Sequence, residues 1–202
     1  MQSPPLTILA FHGFGQNADT IERFVKPLAR KAKIPYKCFN GSHLLPPKPE
    51  QKETDHSYSN YMYSNVQHTE IMSDDWASKH PEPEWKLEIE LQDYMNEVMQ
   101  KGKGNVVLFG FSEGGMLAAQ IAHSFPERVK LVIIASSPFP PNVWEGKSDV
   151  PALIISSPQD QVVKDTETRT WSSMFSTVEY LEHDKGHKIH LPAMVKNKIK
   201  LL

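Results

Sequence analysis

The sequence has a single cysteine, Cys38, which excludes an internal disulfide and with it a fold stapled by cross-links. Cys38 lies in the strand-like run Tyr36-Lys37-Cys38-Phe39-Asn40. A buried, inert thiol is expected there, and a reducing cytoplasm suits such cysteine usage. An excess of one charge is missing too. The 22 Lys plus Arg stand against 24 Asp plus Glu, with the basic residues scattered along the chain rather than gathered into a stripe. That argues against nucleic acid as a partner. Long apolar runs are absent: Leu6 to Phe11 is too short for a signal core or a span, and Met1-Gln2-Ser3-Pro4-Pro5 carries no basic segment. Neither export nor stable membrane insertion is therefore expected. There is no internal repeat or low-complexity tract, and 202 residues fit one domain, 1–202.

What is present is an alternation of short β-rich runs with longer helical patterns, the signature of a parallel sheet with crossover helices. The strand candidates are Leu6–Phe11, Tyr36–Asn40, Asn105–Phe109, Leu131–Ser136, Ala152–Ser156 and Thr177–Leu181. Several are apolar throughout, as strands covered on both faces tend to be. Helical spacing places Ile21, Phe24, Val25 and Leu28 on one side of a helix that begins near Asp19, where Glu22 suggests a capping box. Further helices are expected over about Trp85 to Gln100, Gly114 to Phe125, Asp165 to Phe175, and from about Leu191 onward. The segment from about 42 to 83 shows no convincing strand or helix, yet it is dense in large side chains, among them Tyr58, Tyr61, Met62, Tyr63, Met72 and Trp76. A loop of that length and composition reads as a lid or pocket wall.

The most specific stretch is Gly110-Phe111-Ser112-Glu113-Gly114, placed directly after a strand candidate and directly before a helix candidate. A serine hydroxyl attacks carbonyls well only when held clear of the backbone beside a base, and a sharp strand-to-helix turn achieves this. Such a turn crowds the chain on both sides, which suits Gly110 and Gly114. The serine needs a histidine, and the histidine needs an acid to hold its tautomer. Asp160 follows the strand Ala152–Ser156, and His187 follows the strand Thr177–Leu181, so Ser112, Asp160 and His187 all reach the carboxyl edge of one sheet. Asp165 reads as a helix start and Asp149 lies at the wrong end of its strand. His183 and His190 are neighbours of His187, but Gly186 gives the His187 loop its freedom. A metal site shared by the three histidines lacks a fourth ligand and a continuous helix, so no metal is expected.

An oxyanion would need backbone donors. Glu113, directly after the serine, offers one N–H, and Phe14, on the loop His12-Gly13-Phe14-Gly15 after the first strand, offers the other. His12 is expected to brace that loop rather than to react. If the strand order is 2-1-3-4-5-6, this loop and the serine turn face each other across the crevice where open α/β sheets bind ligands. Phe111, Phe139 and Trp144 are placed to hold an apolar group near it.

Phe11-His12-Gly13-Phe14-Gly15-Gln16-Asn17-Ala18, the Gly-Phe-Ser-Glu-Gly-Gly turn, the Asp160 loop and Glu182-His183 followed by Gly186-His187 together resemble the FSH-type serine hydrolases over nearly the full length. The resemblance implies an α/β-hydrolase fold, with a minimal doubly wound, mostly parallel sheet and helices on both faces. It also implies a small esterase of carboxylic esters that needs no cofactor, with Ser112, Asp160 and His187 as its triad. The partner would be a small acyl ester or thioester. Acyl-protein thioesterases share the serine turn. Transfer to an acceptor other than water, or ligand binding without turnover, also stays open at this level, as does the oligomeric state.

Overall fold

The computed structural model describes residues 5–45, 56–59, 89–140, 145–191, 193–200 and 202. In chain order the elements are β1 (Leu6–Phe11), α1 (Ala18–Ala32), β2 (Tyr36–Phe39), β3 (His43–Leu44), β4 (Tyr58–Ser59) and α2 (Ile89–Lys101). They continue with β5 (Asn105–Phe111), α3 (Glu113–Ser124), β6 (Val129–Ala135), β7 (Ala152–Ser156), α4 (Asp165–Thr170), β8 (Val178–Glu182) and α5 (Ala193–Lys200). Six strands form one sheet in the order β2-β1-β5-β6-β7-β8, and every pairing is parallel. Counted along the chain, that is the order 2-1-3-4-5-6, the arrangement expected of the α/β-hydrolase fold.

The sheet is apolar on both faces because both are covered. Leu9, Phe11, Leu108, Val132, Ile134 and Ile154 pack in one layer with Met95 of α2 and Leu117 and Ile121 of α3. The intervening residues, including Ile8, Val107, Phe109, Ile133 and Ile155, pack in the other with Ile21 and Val25 of α1 and Val195 and Ile199 of α5. Alternation along each strand therefore splits its side chains between two cores, which explains the lack of a polar period in the central strands.

The differences from the sequence reading lie at element ends. Helix α1 is capped by Asn17, whose side chain accepts the Thr20 N–H at 3.0 Å. Glu22 does not close a capping box but accepts the Tyr36 hydroxyl at 2.6 Å, tying α1 to β2. The expected helix over Asp165–Phe175 is α-helical only to Thr170 and then tightens into a 3₁₀ turn, Trp171–Met174, with Trp171 buried. Strand β5 runs on to Phe111, two residues beyond its expected end. The 42–83 segment contains a short antiparallel pair, β3 with β4, which the sequence did not suggest. Two-residue strands are too short to show a period. The rest of that segment, with Tyr61, Met62, Tyr63, Met72 and Trp76, lies outside the described residues, as does the start of the helix expected from Trp85. Cys38 is half-buried rather than enclosed. Burial, with Glu22 and Asp19 adding to it, pushes its thiol up to about 12, so it stays protonated and unreactive. No helix among the described residues is long and apolar enough to cross a membrane.

Candidate active site

The carboxyl edge of the sheet gathers the chemistry. Between β5 and α3 the chain turns at Ser112, whose φ of 52° and ψ of −124° are rare for a residue with a side chain. The neighbouring strand end has a second such serine, Ser136, at φ 44°. Strain of this kind persists only where its surroundings enforce it. The Ser112 N–H donates to the Ala135 carbonyl at 2.8 Å, and its own carbonyl accepts the Gly115 N–H at 2.8 Å. Both flanking glycines are sterically required. A Cβ on Gly110 would stand 2.1 Å from the Gly114 carbonyl oxygen, and one on Gly114 would stand 2.4 Å from that of Phe11.

The loop after β1 presses against this turn. A Cβ on Gly13 would lie 3.1 Å from that of Ser112, so the loop approaches the serine as closely as its lack of a side chain permits. Gln16 folds the loop back on itself. Its side-chain oxygen accepts the Gly13 N–H at 3.0 Å, and its backbone N–H donates to the Gly13 carbonyl at 3.2 Å. His12 is fully buried and braces the loop from below. Its Nε2 accepts the Gly41 N–H at 2.9 Å. That contact fixes the tautomer, so Nδ1–H donates to the Gly13 carbonyl at 2.7 Å. Burial pulls the His12 pKa down to about 4, against the opposing carbonyl bond to Gly13, and the ring is neutral. Phe14, half-buried, sits on this loop, and Glu113, buried, opens α3 directly after Ser112.

Asp160 sits on the loop after β7. One carboxylate oxygen accepts the N–H groups of Val162 and Val163, each at 2.9 Å. The other faces Nδ1 of His187 at 2.8 Å. Burial alone would raise the Asp160 pKa. The bonds from the Val163 N–H, from His187 and from the Val162 N–H outweigh it and hold the carboxyl below its ordinary value. It is therefore a carboxylate, with the His187 Nδ1 proton directed at it, which leaves Nε2 as the nitrogen turned away from the acid. The His187 ring lies against that of Phe111, centroids 4.9 Å apart, next to the turn that carries Ser112.

The other candidates are occupied elsewhere. Asp165, at the start of α4, accepts the Ser156 hydroxyl and pairs with Arg169. Asp149 accepts the Ser176 hydroxyl at 3.0 Å. His183 and His190 face one another, ring centroids 5.3 Å apart, and burial, with His190 next, lowers the His183 pKa. No group of three or more His, Cys, Asp or Glu among the described residues is disposed to hold a metal. Phe139 is half-buried, its N–H held by Glu167 at 3.1 Å and its ring edge-on to Trp171 at 4.9 Å. Trp144 lies outside the described residues. One polar residue of this edge escaped the sequence reading: Ser157, buried between the Asp160 and His187 loops. A lone serine in a polar loop carries no pattern that would mark it.

The same fold occurs in solved structures of low sequence identity. A carboxylesterase from Bacillus cereus superposes with a TM-score of 0.61 at 16% identity, over 99% of this chain and 90% of that one. Esterase PE8 gives 0.64 at 16% identity, over 98% and 91%. The type II thioesterase BorB of the borrelidin biosynthetic cluster gives 0.56 at 12% identity, over 91% and 85%. Sequence comparison with curated proteins gives no match. A family model described as serine hydrolase (FSH1) matches residues 1–199. The chain belongs to the FSH1 serine hydrolase family.

Proposed function

We propose that this serine hydrolase is a carboxylesterase that cleaves acyl esters or thioesters through an acyl-enzyme on Ser112. The observation that carries the reading is the Asp160–His187 pair, 2.8 Å apart, the carboxylate buried and the imidazole partly exposed against Phe111 at the strained serine turn. Ser112 Oγ attacks the substrate carbonyl carbon while His187 Nε2 takes its proton, and Asp160 supports the imidazolium that forms. The backbone N–H groups of Phe14 and Glu113 receive the oxyanion. Collapse of the tetrahedral species breaks the bond to the alkoxy or thiolate group, which leaves with the proton from His187. Water then attacks the acyl carbon, gives its proton to His187, and a second collapse releases the acid and restores the Ser112 hydroxyl. No cofactor enters these steps. Phe111 and Phe139 hold the acyl chain, and the cytoplasm is the compartment that fits the lone thiol.

A fluorophosphonate probe should label the wild-type protein at Ser112 and leave Ser112→Ala unlabelled. On p-nitrophenyl esters of increasing acyl length, Ser112→Ala should lose several orders of magnitude in kcat with its unfolding midpoint preserved. An unlabelled wild-type protein that binds but does not cleave any of the esters would overturn the proposal in favour of a binding role.

A further inference from the structure

We infer that Ser157 is a positioning residue that locks the Asp160 loop to the His187 loop, an inference that rests on the esterase reading above. Its hydroxyl, in a residue 1% exposed, sits between the two. It accepts the N–H of Gly186, the residue directly before His187, at 3.1 Å. It also accepts the Gln159 N–H at 3.3 Å and donates to the Gln159 side-chain oxygen at 3.2 Å. The Ser157 carbonyl takes the N–H of Asp160 at 3.0 Å. One residue thus holds the backbone beside the acid through its carbonyl and the backbone beside the base through its hydroxyl. The loops touch a second time, because a Cβ on Gly186 would stand 3.2 Å from the Gln159 carbonyl oxygen.

The physical reason is reach. The Asp160–His187 bond joins side chains from two loops of adjacent parallel strands, β7 and β8. The imidazole must stay aimed at both the acid and the serine, and a displacement of about 1 Å can cost on the order of a hundredfold in rate. The loops have no ladder of their own at that height. The last backbone link between them below Ser157 is the His183 N–H to the Ser156 carbonyl at 3.1 Å. Ser157 adds a rung above it, where the base is carried.

The test uses Ser157→Ala and Gly186→Ala, with Val25→Ala as a control. Val25, in α1, is buried in the apolar layer between α1 and the sheet, and its truncation lowers stability without removing a hydrogen bond of either loop. On p-nitrophenyl butyrate, Ser157→Ala should lower kcat about tenfold to a hundredfold with KM within about twofold. Gly186→Ala should act in the same direction, and Val25→Ala should keep wild-type turnover below its unfolding midpoint. Proton NMR of the His187 Nδ1–H facing Asp160 should show the signal weakened or shifted in Ser157→Ala. That signal does not depend on turnover. If the wild-type protein cleaves no ester, the esterase reading falls and the imidazole signal alone judges the lock. A Ser157→Ala protein with an unchanged Nδ1–H signal, or with a kcat loss no larger than that of Val25→Ala, would overturn the inference.

Discussion

Among single residues, His12 shows how burial sets a charge state. The ring is enclosed, both nitrogens are engaged, and its pKa falls to about 4 from 6.5. Between those values the unfolded chain binds a proton that the folded protein refuses, so stability falls as the pH is lowered through this window. A gap of this size corresponds to about 3 kcal/mol, all of it present above pH 6.5 and lost near pH 4. Asp160 works in the same sense at more acid pH. Its folded pKa lies below the ordinary carboxylate value, so its stabilisation is complete above that ordinary value and disappears as pH falls through the folded one. Urea unfolding at pH 7.0, 5.5 and 4.5 should show this decline, and His12→Gln should flatten it while lowering stability at pH 7. The residue types of the site were legible because hydroxyl, imidazole and carboxylate have few substitutes in nucleophilic catalysis. The contact between Ser157 and Gly186 was not, because a hydrogen bond across 29 positions leaves no local trace.

At the scale of elements, β5, the serine turn and α3 act as one unit. Gly114 lies where the first turn of α3 meets the end of β1, with no room for a methyl group beside the Phe11 and His12 carbonyl oxygens. The backbone cannot retreat from both, and Gly114→Ala should cost upwards of about 4 kcal/mol, read as a large fall in urea midpoint or as loss of the folded protein. The unit was readable before the fold because its apolar strand, glycine-flanked serine and helical run follow one another in the chain. The start of α1 was misplaced from Asn17 to Asp19 for the opposite reason. Asp19 and Glu22 have the spacing of a capping box, but Glu22 is drawn away by the Tyr36 hydroxyl of β2, a partner that only tertiary packing supplies. The helix from Asp165 tightens at Trp171, whose buried indole donates to the Pro138 carbonyl at 3.0 Å. A side-chain anchor overrode the helical period there.

For the whole molecule, two apolar layers hold the sheet rigid beneath the site. The second is completed by α5, whose Val195 and Ile199 are buried against the α1 side of the sheet. Ile199→Ala should cost about 3 kcal/mol through lost burial and a residual cavity, measured by urea unfolding, with ester turnover per folded molecule unchanged. The sequence by itself determined the six strands of the main sheet, their parallel class and the placement of Ser112, Asp160 and His187 after strand ends on one edge. Each of these follows from local patterns and from the rule that parallel strands end on the same side. Tertiary structure alone decided which nitrogen of His12 carries the proton, that Asp165 is taken by Ser156 and Arg169, and how the acid and base loops are tied through Ser157. These depend on distances between groups remote in the chain, and such distances exist only once the two cores have closed around the sheet.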